Sequence, residues 1–321
     1  MKTKTWLAGC IIAGLAALPS AALADYPEKP IEMIVAFAPG GGTDVAARSI
    51  ARFMEKHLGG GARIAVVNKP GAGGEIGWTE LARAKPDGYT IGMINPPAFN
   101  SLVVEGKAKY TTDDFQPIGN MVYDPGILVV GKDSPYKTLA DLIEADKKAP
   151  NTIVIGNSGA VGSSDHIGLL NLNRQAGTTF KPAFFGSTAP VRQALLGGHV
   201  PAATMNLSEA VQLARSGDIR ILGIMAEERS KALPDVPTFR DQGIDLVVTT
   251  SRGLAAPKGV PLEILAKLQA ALEAAMNDPE YRDAAIKAEI PLHYLNAEDY
   301  KALIDLISKN LAETWKVTPW R

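Results

Sequence analysis

The sequence predicts an α/β fold with two lobes, in which mainly parallel sheets are flanked by helices. Short apolar runs alternate with helical stretches, the alternation occurs in two separate series, and glycine, proline, asparagine or serine marks the junctions. Such alternation is typical of parallel sheets covered by helices. The length of 321 residues also suits two domains better than a single core.

The first series has the order β-α-β-α-β. We predict its elements, in chain order, at residues 31–37, 44–58, 63–68, 75–84 and 89–94. Because consecutive strands are separated by helices, they are expected to run parallel and to carry the helices on the faces of the sheet.

The second series begins near Asp124. Strands and helices are predicted to alternate at residues 127–130, 139–147, 153–156, 164–176, 182–185 and 190–196. Further extended segments are predicted at 202–206, 219–225 and 246–250, followed by helices at 262–276, 280–288 and 297–310. The chain is therefore expected to cross between the lobes near Pro125 and to return near Leu246.

Residues 1–24 have the pattern of a signal peptide. Lys2 and Lys4 precede an apolar run, and the small-x-small run Ala22-Leu23-Ala24 follows it, so we expect cleavage after Ala24. The apolar run is short for a transmembrane span, and no comparable run occurs later. The mature chain is therefore predicted to be an exported, soluble protein.

The run Leu7-Ala8-Gly9-Cys10 offers an alternative, because it resembles a lipobox that would place a lipid on Cys10. Plain cleavage is favoured, since a lipobox normally follows its apolar segment and here the segment continues beyond the cysteine. Loss of the only cysteine with the leader would leave neither a disulfide nor a thiol nucleophile.

The charge and the histidine spacing exclude several classes of function. Removal of two leader lysines from 33 basic residues leaves 31 against 34 acidic residues, a net charge of −3, which argues against a nucleic-acid partner. The histidines at 57, 166, 199 and 293 lack metal-ligand spacing. No catalytic set emerges from the spacing either, so we predict no metal, no cofactor and no enzyme activity.

The loop between the first predicted strand and helix is rich in glycine and is a candidate anion site. Consecutive glycines let backbone N–H groups turn toward one point, and the helix N-terminus adds partial positive charge. A tight turn capped by a side chain fits equally well, whereas a nucleotide site does not, because the required glycine pattern is absent. The candidate residues are Pro39, Gly40, Gly41, Gly42, Thr43 and Asp44.

A second loop, at residues 156–166, has the same position between a strand and a helix. Its small residues, hydroxyls and backbone donors suit a carboxylate. Ser158 is not expected to be a hydrolase nucleophile, because Ala160 breaks the GxSxG pattern. Helix capping by Ser163 or Ser164 and packing of the histidine form the alternative. The candidates are Ser158, Gly162, Ser163, Ser164 and His166.

Weaker candidates come from other strand ends. A third strand-to-helix loop contains Phe185, Gly186 and Ser187, although its aromatic residues also suit the core. Pro97 and Asn206 lie at the ends of further predicted strands. Strand ends that face one cleft are where ligands of open α/β folds bind.

Several ordered motifs together resemble the receptors of tripartite tricarboxylate transporters, also called the Bug family, over nearly the whole mature chain. The motifs are Tyr26-Pro27-Glu28-Lys29-Pro30-Ile31, the loop from Phe37 to Asp44 with Ala47-Arg48, Asn68-Lys69-Pro70-Gly71-Ala72-Gly73-Gly74, Lys85-Pro86-Asp87-Gly88-Tyr89-Thr90 and Leu233-Pro234-Asp235-Val236-Pro237-Thr238.

The resemblance implies a periplasmic, two-lobed Venus-flytrap receptor that closes on a carboxylated ligand and docks on membrane transporter subunits. In such receptors, the loops that correspond to residues 39–44 and 158–166 hold a ligand carboxylate, with 185–187 adjoining. The implied hinge assigns residues 25–124 and 247–321 to lobe 1 and residues 125–246 to lobe 2.

One departure concerns Arg252. Many members have tryptophan-x-glycine at the return to the first lobe, whereas this chain has Ser251-Arg252-Gly253. Arg252 is suited to pair with a second ligand carboxylate, and equally to form an ion pair within the hinge.

The function expected from the sequence is that of a monomeric solute-binding receptor for a small organic carboxylate. The rivals are a sensor subunit and a periplasmic enzyme acting on a carboxylic acid. The identity of the carboxylate is open.

Overall fold

The structure is a computed structural model that describes residues 26–317 and 319–320. The predicted signal peptide, its cleavage after Ala24 and the lipidation alternative at Cys10 lie outside the described residues.

Ten strands and ten helices form the described part of the chain. The strands are β1 Ile31–Val35, β2 Ile64–Asn68, β3 Thr90–Ile94, β4 Phe115–Gly131, β5 Val154–Asn157, β6 Lys181–Phe184, β7 Ala202–Asn206, β8 Ile219–Ile224, β9 Thr249–Pro257 and β10 Leu292–Leu295. The helices are α1 Gly42–Leu58, α2 Glu75–Ala82, α3 Ala98–Val104, α4 Leu139–Lys148, α5 Ser164–Ala176, α6 Thr188–Leu196, α7 Val211–Arg215, α8 Leu262–Asn277, α9 Pro279–Lys287 and α10 Ala297–Val317.

The predicted α/β fold is confirmed, and its sheet is mixed. The strand order is β2-β1-β3-β9-β4-β7-β5-β6, with β8 and β10 also paired to β4. The outer strands pair in parallel, β1 with β2 and β3, and β5 with β6 and β7. The pairings of β4 and β9 are antiparallel. Parallel pairing is thus restricted to the flanks, because the two central strands run against their neighbours.

The long strand β4 changes partners along its length. Residues 115–125 pair with β9, and residues 126–131 pair with β7 and β8. We call the strands β1, β2, β3, β9, β10 and residues 115–125 of β4, with their helices, the first region. The strands β5, β6, β7, β8 and residues 126–131 of β4, with their helices, form the second region. We propose that these regions correspond to lobes 1 and 2.

Each region has its own apolar core. In the first region, α1 presents Ala46, Ile50 and Met54 on one face, and all three are buried against the sheet and α8. Their regular spacing of four residues explains the burial, because it places them along one side of a helix. In the second region, β4 contributes Leu128 to one cluster and Val129 to another, since successive strand residues face opposite sides.

Three described elements were not predicted as regular structure, α3, α7 and β10, and the first half of β4 was also missed. Pro117, Gly119 and Asn120 break the apolar pattern of β4, and its register against β9 shifts at these positions. Long-range pairing maintains the strand there despite poor local preference. The return strand begins at Thr249 and extends to Pro257, further along the chain than predicted.

Candidate functional site

Three helices begin around one cavity of about 70 Å³. They are α1, α5 and α6, and each begins a few residues after the end of a strand, β1, β5 or β6 respectively. The cavity lies between loops of both regions. Because the first N–H groups of a helix lack intrahelical partners and carry partial positive charge, three such ends make the cavity attractive to an anion.

The α1 loop leaves most of its donors free. Gly41 is the N-cap and makes no side-chain cap bond, and the first intrahelical bond runs from Val45 N to Gly41 O at 3.0 Å. Within the described residues, no hydrogen bond engages the N–H groups of Gly41, Thr43 or Asp44. Gly40 has a φ of 81°, a value that favours glycine.

Asp44 supports this loop from outside the cavity. Its carboxylate accepts hydrogen bonds from Gly40 N, Arg48 Nε and Asn68 Nδ2. Burial alone would raise the pKa of Asp44, but the hydrogen bonds from Arg48, Gly40 and Asn68 hold that pKa below its usual value. Asp44 is therefore ionised, and its hydrogen bonds hold the loop in shape.

The α5 loop, in contrast, occupies many of its donors internally. Ser158 Oγ and Gly159 N donate to Asp165 Oδ2 at 2.5 and 3.2 Å. Gly162 N donates to His166 Nδ1 at 3.1 Å, and Ser163 Oγ caps the helix by accepting from His166 N at 3.3 Å. The N–H group of Ser164 lies at the start of α5, as those of Thr43 and Asp44 lie at the start of α1, and none of the three has a partner in the described chain.

His166 is buried and has a packing role. Its ring meets Phe184 edge-on at 5.0 Å, and burial lowers its pKa to about 4, so the ring is neutral near pH 7. Because Nδ1 accepts a backbone N–H, the ring proton is on Nε2.

Asp165 is the most perturbed carboxylate of the site. Burial raises its pKa to about 6, the hydrogen bond from Ser158 opposes this rise, and the charge of Glu209 adds to it. Oδ1 of Asp165 is buried and has no partner among the described residues.

A buried ion cluster lies beside the cavity where β4, β9 and the end of β7 meet. Arg252 Nη1 donates to Asp124 Oδ2 at 2.6 Å, and Arg252 Nη2 donates to Asn206 Oδ1 at 3.2 Å. Glu209 Oε1 lies 3.5 Å from Arg252 Nη2. Of the two roles left open for Arg252, the structure therefore contains the ion pair. Both terminal nitrogens are engaged, and only Nε is without a partner among the described residues.

Gly42 allows the two regions to approach closely. Its N–H donates to Glu209 Oε1 at 3.1 Å, which links the start of α1 with the segment after β7. A Cβ at position 42 would lie 2.7 Å from both Arg252 Nη2 and Glu209 Oε1. A side chain at position 42 would force the ends of Arg252 and Glu209 to move, and glycine avoids this displacement.

The structure brings most of the predicted site residues to the cavity. Those that line it are Gly41, Gly42, Thr43, Ser158, Ser163, Ser164, Gly186, Ser187, Asn206 and Arg252. Those outside the lining are Pro39, Gly40, Asp44, Pro97, Gly162, His166 and Phe185. The structure explains why two of these residues do not line the cavity. Pro97 is the N-cap of α3, and Phe185 packs on the core of the second region.

Other lining residues were not named as individual candidates, although the loops and strand ends proposed from the sequence contain most of them. They are Phe37, Ala38, Gly73, Asn95, Ala98, Gly159, Ala160, Val161, Asp165, Thr188, Glu209 and Thr250. Asp165 sits inside the α5 loop, and Asn95 lies at the end of β3, so position relative to a strand end was an available signal for both. For Glu209 there was no such signal, because its role depends on contacts with Gly42 and Arg252 that are distant in sequence.

Metal binding and membrane spanning find no support within residues 26–317 and 319–320. In these residues, histidine, cysteine and carboxylate side chains form no cluster of three or more that suits a metal ion. None of their helices combines the length and apolar character that a bilayer crossing requires.

Comparisons with known proteins give a consistent result. The model of the family described as tripartite tricarboxylate transporter family receptor matches residues 46–314. The UPF0065 protein in the gbd 5' region of Cupriavidus necator is 33% identical over 295 residues, which cover 89% of this chain and 87% of that protein.

Solved structures agree with this match. The periplasmic binding protein BugD has a TM-score of 0.82 and 31% identity, with 91% of this chain and 98% of BugD covered. MatC from Rhodopseudomonas palustris, solved with bound malate, has a TM-score of 0.79 and 30% identity, with 90% of this chain and 98% of MatC covered. BugD is thus a periplasmic binding protein, and MatC holds malate in its solved structure.

Proposed function

Since this chain belongs to the tripartite tricarboxylate transporter receptor family, we propose that it captures a small organic carboxylate in the periplasm and delivers it to a membrane transporter. The proposal includes export with cleavage after Ala24 and a soluble, monomeric mature protein. The partners are the carboxylate ligand and the transporter subunits, with no nucleic acid.

The convergence of three helix N-termini on one cavity carries this proposal. A carboxylate placed there accepts hydrogen bonds from N–H groups that have no partner among the described residues, such as those of Thr43 and Ser164. Each helix end contributes roughly half of an elementary positive charge, so three ends stabilise a negatively charged group. MatC, a 30% identical relative, contains bound malate, which supports the same class of ligand here.

The hydrogen bonds of the polar side chains support binding without chemical conversion. Ser158 Oγ donates to Asp165, and His166 Nδ1 accepts from Gly162 N. The hydroxyl and the imidazole are therefore engaged with different partners instead of forming a nucleophile and base pair. This arrangement favours a receptor over an enzyme.

Ligand binding is expected to link the two regions. The α1 loop belongs to the first region, the α5 and α6 loops belong to the second, and the cavity lies between them. A ligand that contacts both sides stabilises the closed arrangement more than an open one and shifts the population toward it. Closure is the signal that a membrane partner can detect.

Calorimetric titration of the exported, ligand-stripped protein with mono-, di- and tricarboxylates tests the proposal. At least one acid is expected to bind with 1:1 stoichiometry and to be recovered unchanged. Failure of every acid would contradict carboxylate capture, and formation of a product would indicate an enzyme. Loss of uptake of the bound acid in a gene-deletion strain, with unchanged signalling to that acid, distinguishes transport from sensing.

A further inference from the structure

Asp165 places an unsatisfied acceptor in the wall of the cavity. The residue is 3% exposed and lines the cavity together with the ends of α1 and α6. Its Oδ2 atom already accepts from Ser158 Oγ and Gly159 N, whereas Oδ1 is buried without a partner among the described residues. A buried carboxylate oxygen without a hydrogen bond is unfavourable, so a donor on a ligand would stabilise this site.

A second polar side chain is only partly satisfied at the same cavity. Asn95 is 2% exposed, and its Nδ2 donates to Thr43 Oγ1. Its Oδ1 is buried without a partner in the described chain. Asn95 lies in the first region and Asp165 in the second. The cavity therefore offers polar contacts beyond those that one carboxylate requires.

The charges around the cavity favour a cationic donor over a neutral one. Of the residues that line it, Arg252 alone is cationic, and Asp124 pairs with that guanidinium at 2.6 Å. Glu209 also lines the cavity, but its carboxylate accepts from Gly42 N and Asn206 N and lies 3.5 Å from Arg252 Nη2. The three helix ends offset the carboxylate of a ligand, and Oδ1 of Asp165, which has no partner among the described residues, remains available to an ammonium group.

We propose that Asp165 determines specificity by binding a protonated amine, so that the preferred ligand is an amino acid. The carboxylate of this ligand is held at the helix N-termini, and the ammonium group of the ligand contacts Asp165 Oδ1. This inference rests on the proposed capture of a carboxylate and names the ligand class more narrowly. A cavity of about 70 Å³ suits a compact molecule whose two charged groups are close together.

Matched acids that differ in one substituent test the inference. Ligand-stripped protein is titrated calorimetrically with aspartate, malate and succinate, and with alanine, lactate and propionate. Within the series that binds, the amine is expected to bind about 10- to 100-fold more tightly than the hydroxy acid, the range of a charge-assisted hydrogen bond. The Asp165→Asn variant is expected to lose this preference, so that it binds the amine and the hydroxy acid with similar affinity.

A matched substitution controls for general effects. Asp146 is a buried carboxylate of the second region that accepts from Thr179 N at 2.6 Å and does not line the cavity. Asp146→Asn should leave the amine preference unchanged, and thermal unfolding verifies that each variant is folded.

Each outcome is decisive. Equal affinity of the wild-type protein for amine and non-amine acids would overturn the inference without any variant, as would an unchanged preference in Asp165→Asn. Binding of no acid by the wild-type protein would refute the proposed carboxylate capture itself, and this result is distinct from the loss of selectivity.

Discussion

The α1 loop and the α5 loop face the same cavity and begin their helices in different ways. The α1 loop has no side-chain cap, and three of its N–H groups have no partner in the described chain. The α5 loop uses Ser163, Asp165 and His166 to engage its own donors. The comparison teaches that a glycine-rich loop and a serine-rich loop at equivalent positions differ in how many N–H donors they leave unpaired. The first offers donors to an anion, and the second also offers a carboxylate acceptor.

The largest expected effect concerns Asp165 in the ligand-free protein. Burial raises its folded pKa from 3.8 to about 6, so the group contributes stability below pH 3.8 that is lost as the pH rises through about 6. This change corresponds to about 3 kcal/mol. Asp165→Asn removes the titration, so the variant should gain about 2 kcal/mol relative to wild type between pH 4 and pH 7.5, because part of the change is already complete at pH 4.

Urea unfolding of both proteins at the two pH values measures this difference. An identical pH dependence of the free energy of unfolding in both proteins would show that burial does not raise the pKa of Asp165. The electrostatic difference between the two loops would then be contradicted.

The second effect concerns the close approach at the α1 loop. Gly42→Ala places a Cβ 2.7 Å from Arg252 Nη2 and Glu209 Oε1, and such overpacking typically costs about 1–3 kcal/mol. Gly41→Ala is the matched control, because its Cβ would be 3.8 Å from Ala38 O. Denaturant midpoints should fall for the first variant and remain near wild type for the second. Equal midpoints would contradict the tight contact between the regions.

The smallest effect tests the helix cap of the α5 loop. Ser163→Ala removes the acceptor for His166 N, and loss of such a cap costs about 1 kcal/mol. Ser187 starts α6 without a side-chain cap bond, so Ser187→Ala is expected to leave the free energy of unfolding nearly unchanged. A similar loss in both variants would mean that capping does not distinguish these helices.

Much of the second region was predictable because local signals agree with its tertiary structure. Helix α5 was predicted with its observed bounds, since it has a serine at its N-cap and Gly177 in the left-handed conformation at its end. Strand β7 was also predicted with its observed bounds. Strand β4 was predicted only in part, because its first half is defined by pairing with β9, which lies more than a hundred residues away.

The sequence allowed the location of the site loops to be predicted, but not the contacts that their residues make. Strand ends and glycine-rich runs located the three loops, and the resemblance to a known family selected two of them. The sequence gives no sign that Glu209 accepts from Gly42, or that Arg252 pairs with Asp124, because these contacts join residues 167 and 128 positions apart. The free oxygen of Asp165 likewise depends on how Ser158 and Gly159 are oriented in the folded chain.

The exchange of partners along β4 has a mechanical consequence. The chain leaves the first region at Pro125 and Gly126 and returns at Val248 and Thr249, and Gly126 N donates to Val248 O at 2.9 Å. We propose that these two crossings, bonded side by side, act as a single pivot, about which a small rotation produces a large displacement at the far rim of the cavity. The Arg252–Asp124 pair lies next to this pivot, so we expect it to persist throughout the opening stroke, whereas contacts near the rim separate first.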